Sequence, residues 1–177
     1  MMTTLTTSRL LLQPFSDAHF AGLRTLNTDP QVMRFITGRP ETEEETHALI
    51  ARVKTAWSAH GYSWWAFIER ATGKLIGSGC IQNLERVSAN PLEIGWRLHP
   101  DAWGKGYASE AARGMADFAF EVLLAPQLCA VCHQDNADSA KVMQRLGMHY
   151  RGIERWYNTD TMVYSMTRAE WAAASTT

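Results

Sequence analysis

The sequence predicts a single domain of the α+β class, on three observations. The chain has 177 residues. Apolar residues recur with period two in some stretches and with helical period in others. A glycine-bearing turn, Gly104-Lys105-Gly106, stands between a strand-like stretch and a long amphipathic one. The length suits one domain with a real core and is short for two. No repeat, low-complexity tract or composition shift marks a boundary, so one domain is expected over residues 1–177. Hydrophobic residues at 46% and charged residues at 20% describe an ordinary globular protein.

The elements follow in order. "RLLLQPF" (9–15) reads as an opening strand, and Ser16 or Asp17 can cap a helix that reaches about Asn27. A second helical region follows Pro30 and breaks near "TGRP" (37–40). It resumes at Thr42, which has capping-box spacing to Glu45, and continues to about His60. "YSWWAFIER" and "KLIGSGCIQNL" are strand-like, with the turn "ATGK" between them. In "PLEIGWRLHP", Leu92, Ile94, Trp96 and Leu98 alternate with Glu93, Gly95, Arg97 and His99, which is the period of a strand. Gly95 in its middle suggests a bulge or a close backbone approach. From Ala108 the apolar positions 111, 115, 118/119 and 122 oppose Glu110, Arg113, Asp117 and Glu121, a helix with one buried face. "QLCAVCHQ" is the next strand, and "NADSAKVMQRLG" a short helix with Asn136 near its start and Gly147 as its stop. "MHYRGIERWY" and "TMVYSMTRAEW" are read as two final strands, giving the order β α α β β β α β α β β.

Bulk properties exclude several functions. A net charge of -1 with no run of Lys or Arg argues against nucleic acid or an anionic membrane as partner. No apolar run approaches the roughly 18 residues of a membrane span. The N-terminal stretch lacks the pattern of a signal peptide, so the cytoplasm is the expected location. The three cysteines do not suggest a disulfide framework. Cys129-Ala-Val-Cys132-His133 matches the letters of a haem-attachment motif, but residues three apart in a strand face opposite ways. Both thiols are therefore expected to be buried and structural. The six histidines are scattered without metal-ligand spacing, so no metal is expected.

A strand, a glycine turn and a helix N-terminus in succession can bind an anion, because unpaired N–H groups and the helix dipole converge there. The residues "GKGYAS" alone leave two readings open, a phosphate cradle or a turn that only joins strand to helix. Neither standard nucleotide loop fits. The pattern G-x-x-x-x-G-K-[ST] is absent, and Ser109 stands where a dinucleotide fingerprint needs its third glycine.

The stretches "TSRLLLQPFSDAHF", "DPQVMRFI", "LEIGWRLHPDAWGKGYASEA" and "NADSAKVMQRLGM" together resemble the GNAT acetyltransferase superfamily. Within it they are most similar to the branch of ribosomal-protein N-terminal acetyltransferases and their relatives. The resemblance implies a mixed, mostly antiparallel sheet flanked by helices, with a bulged central strand that carries acetyl-coenzyme A as co-substrate. It implies that the turn and helix start (Trp103, Gly104, Lys105, Gly106, Tyr107, Ala108 and Ser109) cradle the pyrophosphate. The pantetheine arm would run along the strand that carries Trp96 and Leu98, and Asn136 would hydrogen-bond its amides. Trp103 departs from the superfamily pattern [R/Q]-x-x-G-x-[G/A], which leaves that position without the usual polar side chain.

The chemistry needs a base, because a primary amine is protonated at neutral pH and cannot attack a thioester until it loses a proton. Glu93 is the candidate base, in an apolar stretch where desolvation would raise its pKa; the competing reading is a solvent-facing strand glutamate. A backbone N–H freed by a bulge around residues 95–98 would serve as oxyanion donor. Many relatives carry an acidic tyrosine where this chain has Met143, so the resemblance assigns the leaving thiol to Ser139, three residues after Asn136, with Tyr150 or Tyr157 as the next candidate acid. The alternatives are a locally bonded early-helix serine and, for Asn136, a simple cap. Trp64 and Trp65 must face opposite ways, one into the core and the other a candidate for the acceptor cleft.

The activity implied is N-acetyl transfer to a primary amine, a protein N-terminus or a small molecule, by direct attack in a ternary complex of a monomer or homodimer. The alternative is a non-catalytic module that binds acyl-coenzyme A. The acceptor-side segments, 28–42 and 155–161, carry no signature of the acceptor.

Overall fold

In the computed structural model, which describes residues 1–176, eight strands form one mixed sheet in the order β1-β2-β3-β4-β5-β6-β8-β7. The strands are β1 (Leu5–Thr6), β2 (Leu10–Pro14), β3 (Trp64–Glu69), β4 (Leu75–Asn83), β5 (Leu92–Leu98), β6 (Gln127–His133), β7 (His149–Trp156) and β8 (Thr159–Thr167). The pairs β1–β2, β2–β3, β3–β4, β6–β8 and β7–β8 are antiparallel, and β5–β6 is parallel with Glu93 opposite Cys129. The helices are α1 (Phe20–Asn27), α2 (Pro30–Met33), α3 (Glu43–His60), α4 (Tyr107–Asp117), α5 (Ala137–Leu146) and α6 (Arg168–Ser175). This is the expected α+β architecture. The chain divides into two compact units, residues 1–80 with 96–111, and residues 81–95 with 112 onward. The expected domain runs to Thr177, which lies outside the described residues.

In the first unit, Leu10 and Leu12 of β2 and Trp65 and Phe67 of β3 point into the core and are fully buried. Trp57 of α3 meets Trp65 edge to face at 5.0 Å. The start of α3 is held as its sequence predicts: the Glu45 N–H donates to Thr42 Oγ1 at 3.2 Å, and the Thr42 N–H to Glu45 Oε2 at 2.8 Å. Gly61 ends it with φ 74°. At Gly77 of β4, a Cβ would lie 2.5 Å from the Arg97 carbonyl oxygen, so only glycine lets β4 and β5 approach there. The His99 N–H donates to the Ile76 carbonyl at 2.8 Å beside it.

In the second unit, Leu128 and Ala130 of β6, Val163 and Met166 of β8, and Met143 and Leu146 of α5 are all buried. Three expectations need correction here. The final strand does not reach Trp171: Thr167 and Glu170 form a reciprocal capping box at 3.2 and 2.7 Å that starts α6. The long helix does not keep one phase to Val122, because Phe118–Val122 is a π-helical turn. The wider turn rotates Val122 out to 64% exposure and leaves Asp117 partly buried, accepting a hydrogen bond from Trp171 Nε1 at 3.1 Å. Finally, β1 precedes the expected opening strand.

Candidate active site

The glycine turn is built by the first unit. Gly104 and Gly106 take φ of 71° and 81°, which side chains with a Cβ resist. Nothing lies within 4 Å of where a Cβ on Gly104 would stand. Trp103 is 48% exposed and donates its indole N–H to the Leu98 carbonyl at 2.9 Å, locking the turn to the end of β5. Its polar atom thus faces the protein. In α4 the Glu110 N–H bonds the Gly106 carbonyl at 3.1 Å, so the amides before it have no partner within the helix.

Arg9, which the sequence did not single out, braces this turn. Its Nη1 donates to the Lys105 carbonyl at 2.9 Å, its Nε pairs with Glu110 at 2.7 Å, and its guanidinium lies 4.2 Å over the Tyr107 ring. Burial pushes the Glu110 carboxyl up. Hydrogen bonds from Thr7 and Arg9 and the Arg9 charge outweigh it and hold the carboxyl below its ordinary value. Tyr107 is nearly buried and donates its hydroxyl to Glu69. Ala108 and Ser109 are partly buried. The Ser109 hydroxyl is buried with no hydrogen-bond partner among the described residues. An orphaned hydroxyl beside free helix amides fits the donor set that a phosphate would need. A cleft of about 450 Å³ lined by Ser8, Arg9, Glu69, Arg70, Ala71 and Tyr107 adjoins the turn. Its two arginines are already engaged, Arg9 by Glu110 and Arg70 by the Thr7 and Ser8 carbonyls at 3.1 and 2.9 Å.

Glu93 belongs to the second unit and is 5% exposed, so it is not a solvent-facing strand glutamate. Its Oε1 accepts from Gln82 Nε2 at 2.9 Å and from the Tyr157 hydroxyl. That hydroxyl accepts in turn from the Glu85 N–H at 3.0 Å and from Gln82 at 3.2 Å. Burial raises the Glu93 pKa above the usual carboxylate value; the bonds from Gln82 and Tyr157 and the charge of Arg86 offset only part of this. Tyr157 reaches Glu93 from the tip of the β7–β8 hairpin, where Tyr157 and Asn158 take φ of 53° and 60°. The sequence offered Tyr157 only as a fallback acid, not as a partner of Glu93; it lies inside segment 155–161, which carries no decipherable motif.

Asn136 caps α5, its Oδ1 accepting the Ser139 N–H at 3.2 Å. The cap reading therefore holds for one end of this amide, while its Nδ2 and the Ser139 hydroxyl make no hydrogen bond to a described residue. Trp96 is partly buried and Leu98 buried on β5. Trp65 is the core tryptophan, and Trp64 lies under the Arg97 guanidinium at 4.9 Å. Cys129 and Cys132 are buried and free, and burial pushes their thiols up to about 12 and about 11. Among the described residues no group of His, Cys, Asp and Glu could hold a metal. Among the described residues no helix is long and apolar enough to cross a membrane.

Comparison with known proteins shows the family. The Acetyltransferase (GNAT) domain family matches residues 9–149, across both units. The FsC-acetyl coenzyme A-N(2)-transacetylase of Aspergillus fumigatus is 32% identical, over 95% of this chain and 77% of its own. Among solved structures, an acetyltransferase from Agrobacterium tumefaciens aligns with a TM-score of 0.80 at 27% identity, covering 94% of this chain and 95% of that one. A ribosomal-protein alanine acetyltransferase from Vibrio fischeri shares the fold, with a TM-score of 0.79 at 17% identity over 96% and 98% of the two chains. The chain belongs to the GNAT family of acetyl-coenzyme A-dependent N-acetyltransferases.

Proposed function

We propose that one catalytic domain transfers the acetyl group directly onto a primary amine, with Glu93 as general base. The observation that carries this reading is the buried Glu93 carboxylate, kept basic by desolvation and aimed by Gln82 and Tyr157. A carboxylate whose pKa is raised toward neutrality takes the ammonium proton more readily than an ordinary glutamate would. It acts directly or through one water.

The amides of the 104–109 turn, Gly104 and Gly106 above all, and the Ser109 hydroxyl hold the coenzyme's pyrophosphate. Their free donors and left-handed glycines support that role. Bound there, the co-substrate supplies an activated thioester. The backbone of β5 around Trp96 and Leu98 carries the pantetheine arm and offers an N–H to the developing oxyanion, and the free Asn136 Nδ2 donates to an arm carbonyl. The Ser139 hydroxyl stands ready to hydrogen-bond the departing thiolate. A fungal relative is named for transfer to an N(2) atom, and a structural neighbour for a ribosomal protein.

The test is thiol release from acetyl-coenzyme A with a panel of amines, with product confirmed by intact mass. Acetylated product whose formation needs Glu93 is expected. Coenzyme binding without turnover on any amine would leave the protein a binding module instead.

A further inference from the structure

Arg97, near the end of β5 in the first unit, has more binding capacity than the fold uses. Its partly buried guanidinium stacks over Trp64 at 4.9 Å. Nη1 donates to Asn27 Oδ1 at 3.2 Å and faces Met33 Sδ at 3.7 Å. A guanidinium has five N–H donors in a planar fork. The others have no partner among the described residues. Among the described residues no carboxylate pairs with it. The charge of Glu41 acts on it from a distance, but Glu41 Oε1 is taken by Asn27 Nδ2 at 3.2 Å and Thr46 Oγ1 at 2.7 Å. Desolvation pushes the Arg97 pKa down; Glu41 and Cys80 restore part of this, and the positive charge of Arg52 lowers it again.

A desolvated cation with spare, pre-aligned donors is costly unless an anion completes it. The planar fork accepts a carboxylate through two parallel bonds, and an aromatic platform beneath fixes its orientation. Arg97 and Arg52 set against Glu41 leave one formal positive charge, which suits a monoanion such as a carboxylate better than a phosphate dianion. Asn27, Met33 and Glu41 also lie in or beside segment 28–42, expected on the acceptor side. The pantetheine arm of the co-substrate is uncharged and its pyrophosphate is assigned to the 104–109 turn, so a carboxylate at Arg97 would come from the other reactant.

We propose that Arg97 binds a carboxylate of the acceptor, which is therefore amino-acid-like: an amine that carries a carboxylate, as a free amino acid or within a short acidic peptide. The proposal rests on the acetyl-transfer reading above, and its test separates the two.

The direct measurement follows the Arg97 Nε–H resonance of 15N-labelled protein, assigned by its disappearance in Arg97→Lys. The titrants are N-acetyl amino acids, their neutral amides, an acidic tripeptide and inorganic phosphate at matched ionic strength. A saturable shift with the carboxylates and none with the amides is expected; whichever of the amino-acid and peptide arms binds tighter identifies the source. No shift with any carboxylate, or an equal response to phosphate, overturns the proposal.

In turnover, kcat/KM for a carboxylate-bearing amine should fall about tenfold to a hundredfold in Arg97→Gln, the range of a lost charge-assisted pair. The loss should be smaller in Arg97→Lys, with the matched amide and the KM for acetyl-coenzyme A within about threefold of wild type. Equal losses on both amines also overturn it. If no amine is acetylated, the transfer reading fails, while the titration still decides the role of Arg97.

Discussion

At the scale of single residues, the decisive environment is that of Glu93. Its carboxyl is more easily protonated in the fold than in the unfolded chain, because burial outweighs two hydrogen bonds. The sign for stability follows. A raised carboxyl pKa leaves stability intact below the unfolded value and removes it as pH rises through the folded value. Glu93→Gln keeps an oxygen to accept from Gln82 and Tyr157 and never ionises. Its melting temperature should match wild type in acid and equal or exceed it above the raised pKa. Its turnover should fall about 10²–10⁴-fold at neutral pH, with the deficit shrinking at high pH where the acceptor amine is already neutral. A change below about threefold across a full pH–rate profile would remove Glu93 from the mechanism.

Tyr157→Phe tests the same site from the other side. The tyrosine hydroxyl helps hold the Glu93 charge. Its loss should raise the Glu93 pKa further and move the acid-side limb of the rate profile to higher pH without abolishing activity. A limb that stays or moves down contradicts this wiring.

Ser139 and Asn136 should separate in kinetics. Ser139→Ala should lower kcat about tenfold to a hundredfold with coenzyme affinity nearly unchanged, the signature of a contact made late in the reaction. Asn136→Ala should weaken coenzyme binding, and it should also cost about 1 kcal/mol of stability, because the residue caps α5. Titration calorimetry beside steady-state rates distinguishes the two, and full kcat in Ser139→Ala removes the serine from the reaction.

At the scale of elements, the turn between β5 and α4 is the part to perturb. Gly106 sits at φ 81° with its missing Cβ 3.5 Å from the Arg9 guanidinium. Gly106→Asp adds both backbone strain and a negative charge where phosphate is to bind. Coenzyme A affinity should drop by two orders of magnitude or more, roughly the effect of two or three lost charge-assisted bonds. Unchanged affinity in a variant whose circular dichroism is native would place the phosphates elsewhere. The brace from Arg9 ties this turn down from within the protein. One side chain ties a turn carbonyl, the Glu110 carboxylate and the Tyr107 ring together.

At the scale of the whole molecule, neither compact unit is one continuous stretch of chain. Strands β4 and β5 and helix α4 each pass from one unit into the other. A strand or helix that belongs to both cannot melt in one without ending in the other. Urea unfolding should therefore be a single transition, with tryptophan fluorescence and far-ultraviolet circular dichroism superimposed. Two separated midpoints would show the units unfolding independently.

What the sequence alone determined is what local patterns encode. Period-two alternation from Leu92 to Leu98 placed β5, Thr42 with Glu45 placed the start of α3, and Gly104 with Gly106 placed a left-handed turn ahead of α4. Each depends on neighbours a few residues away, so each is legible in order along the chain. The same logic was available for α6 in Thr167 and Glu170, masked by the apolar run before them. Only the tertiary structure decided the rest. Gln82 and Tyr157, 75 residues apart, meet at Glu93. Arg9 meets the turn from 96 residues away. Arg97 finds Asn27 and Trp64 on other elements, while among the described residues no carboxylate comes to meet it. Burial and pairing are set by what the sheet brings together across such separations, and no periodicity within a strand or helix records them.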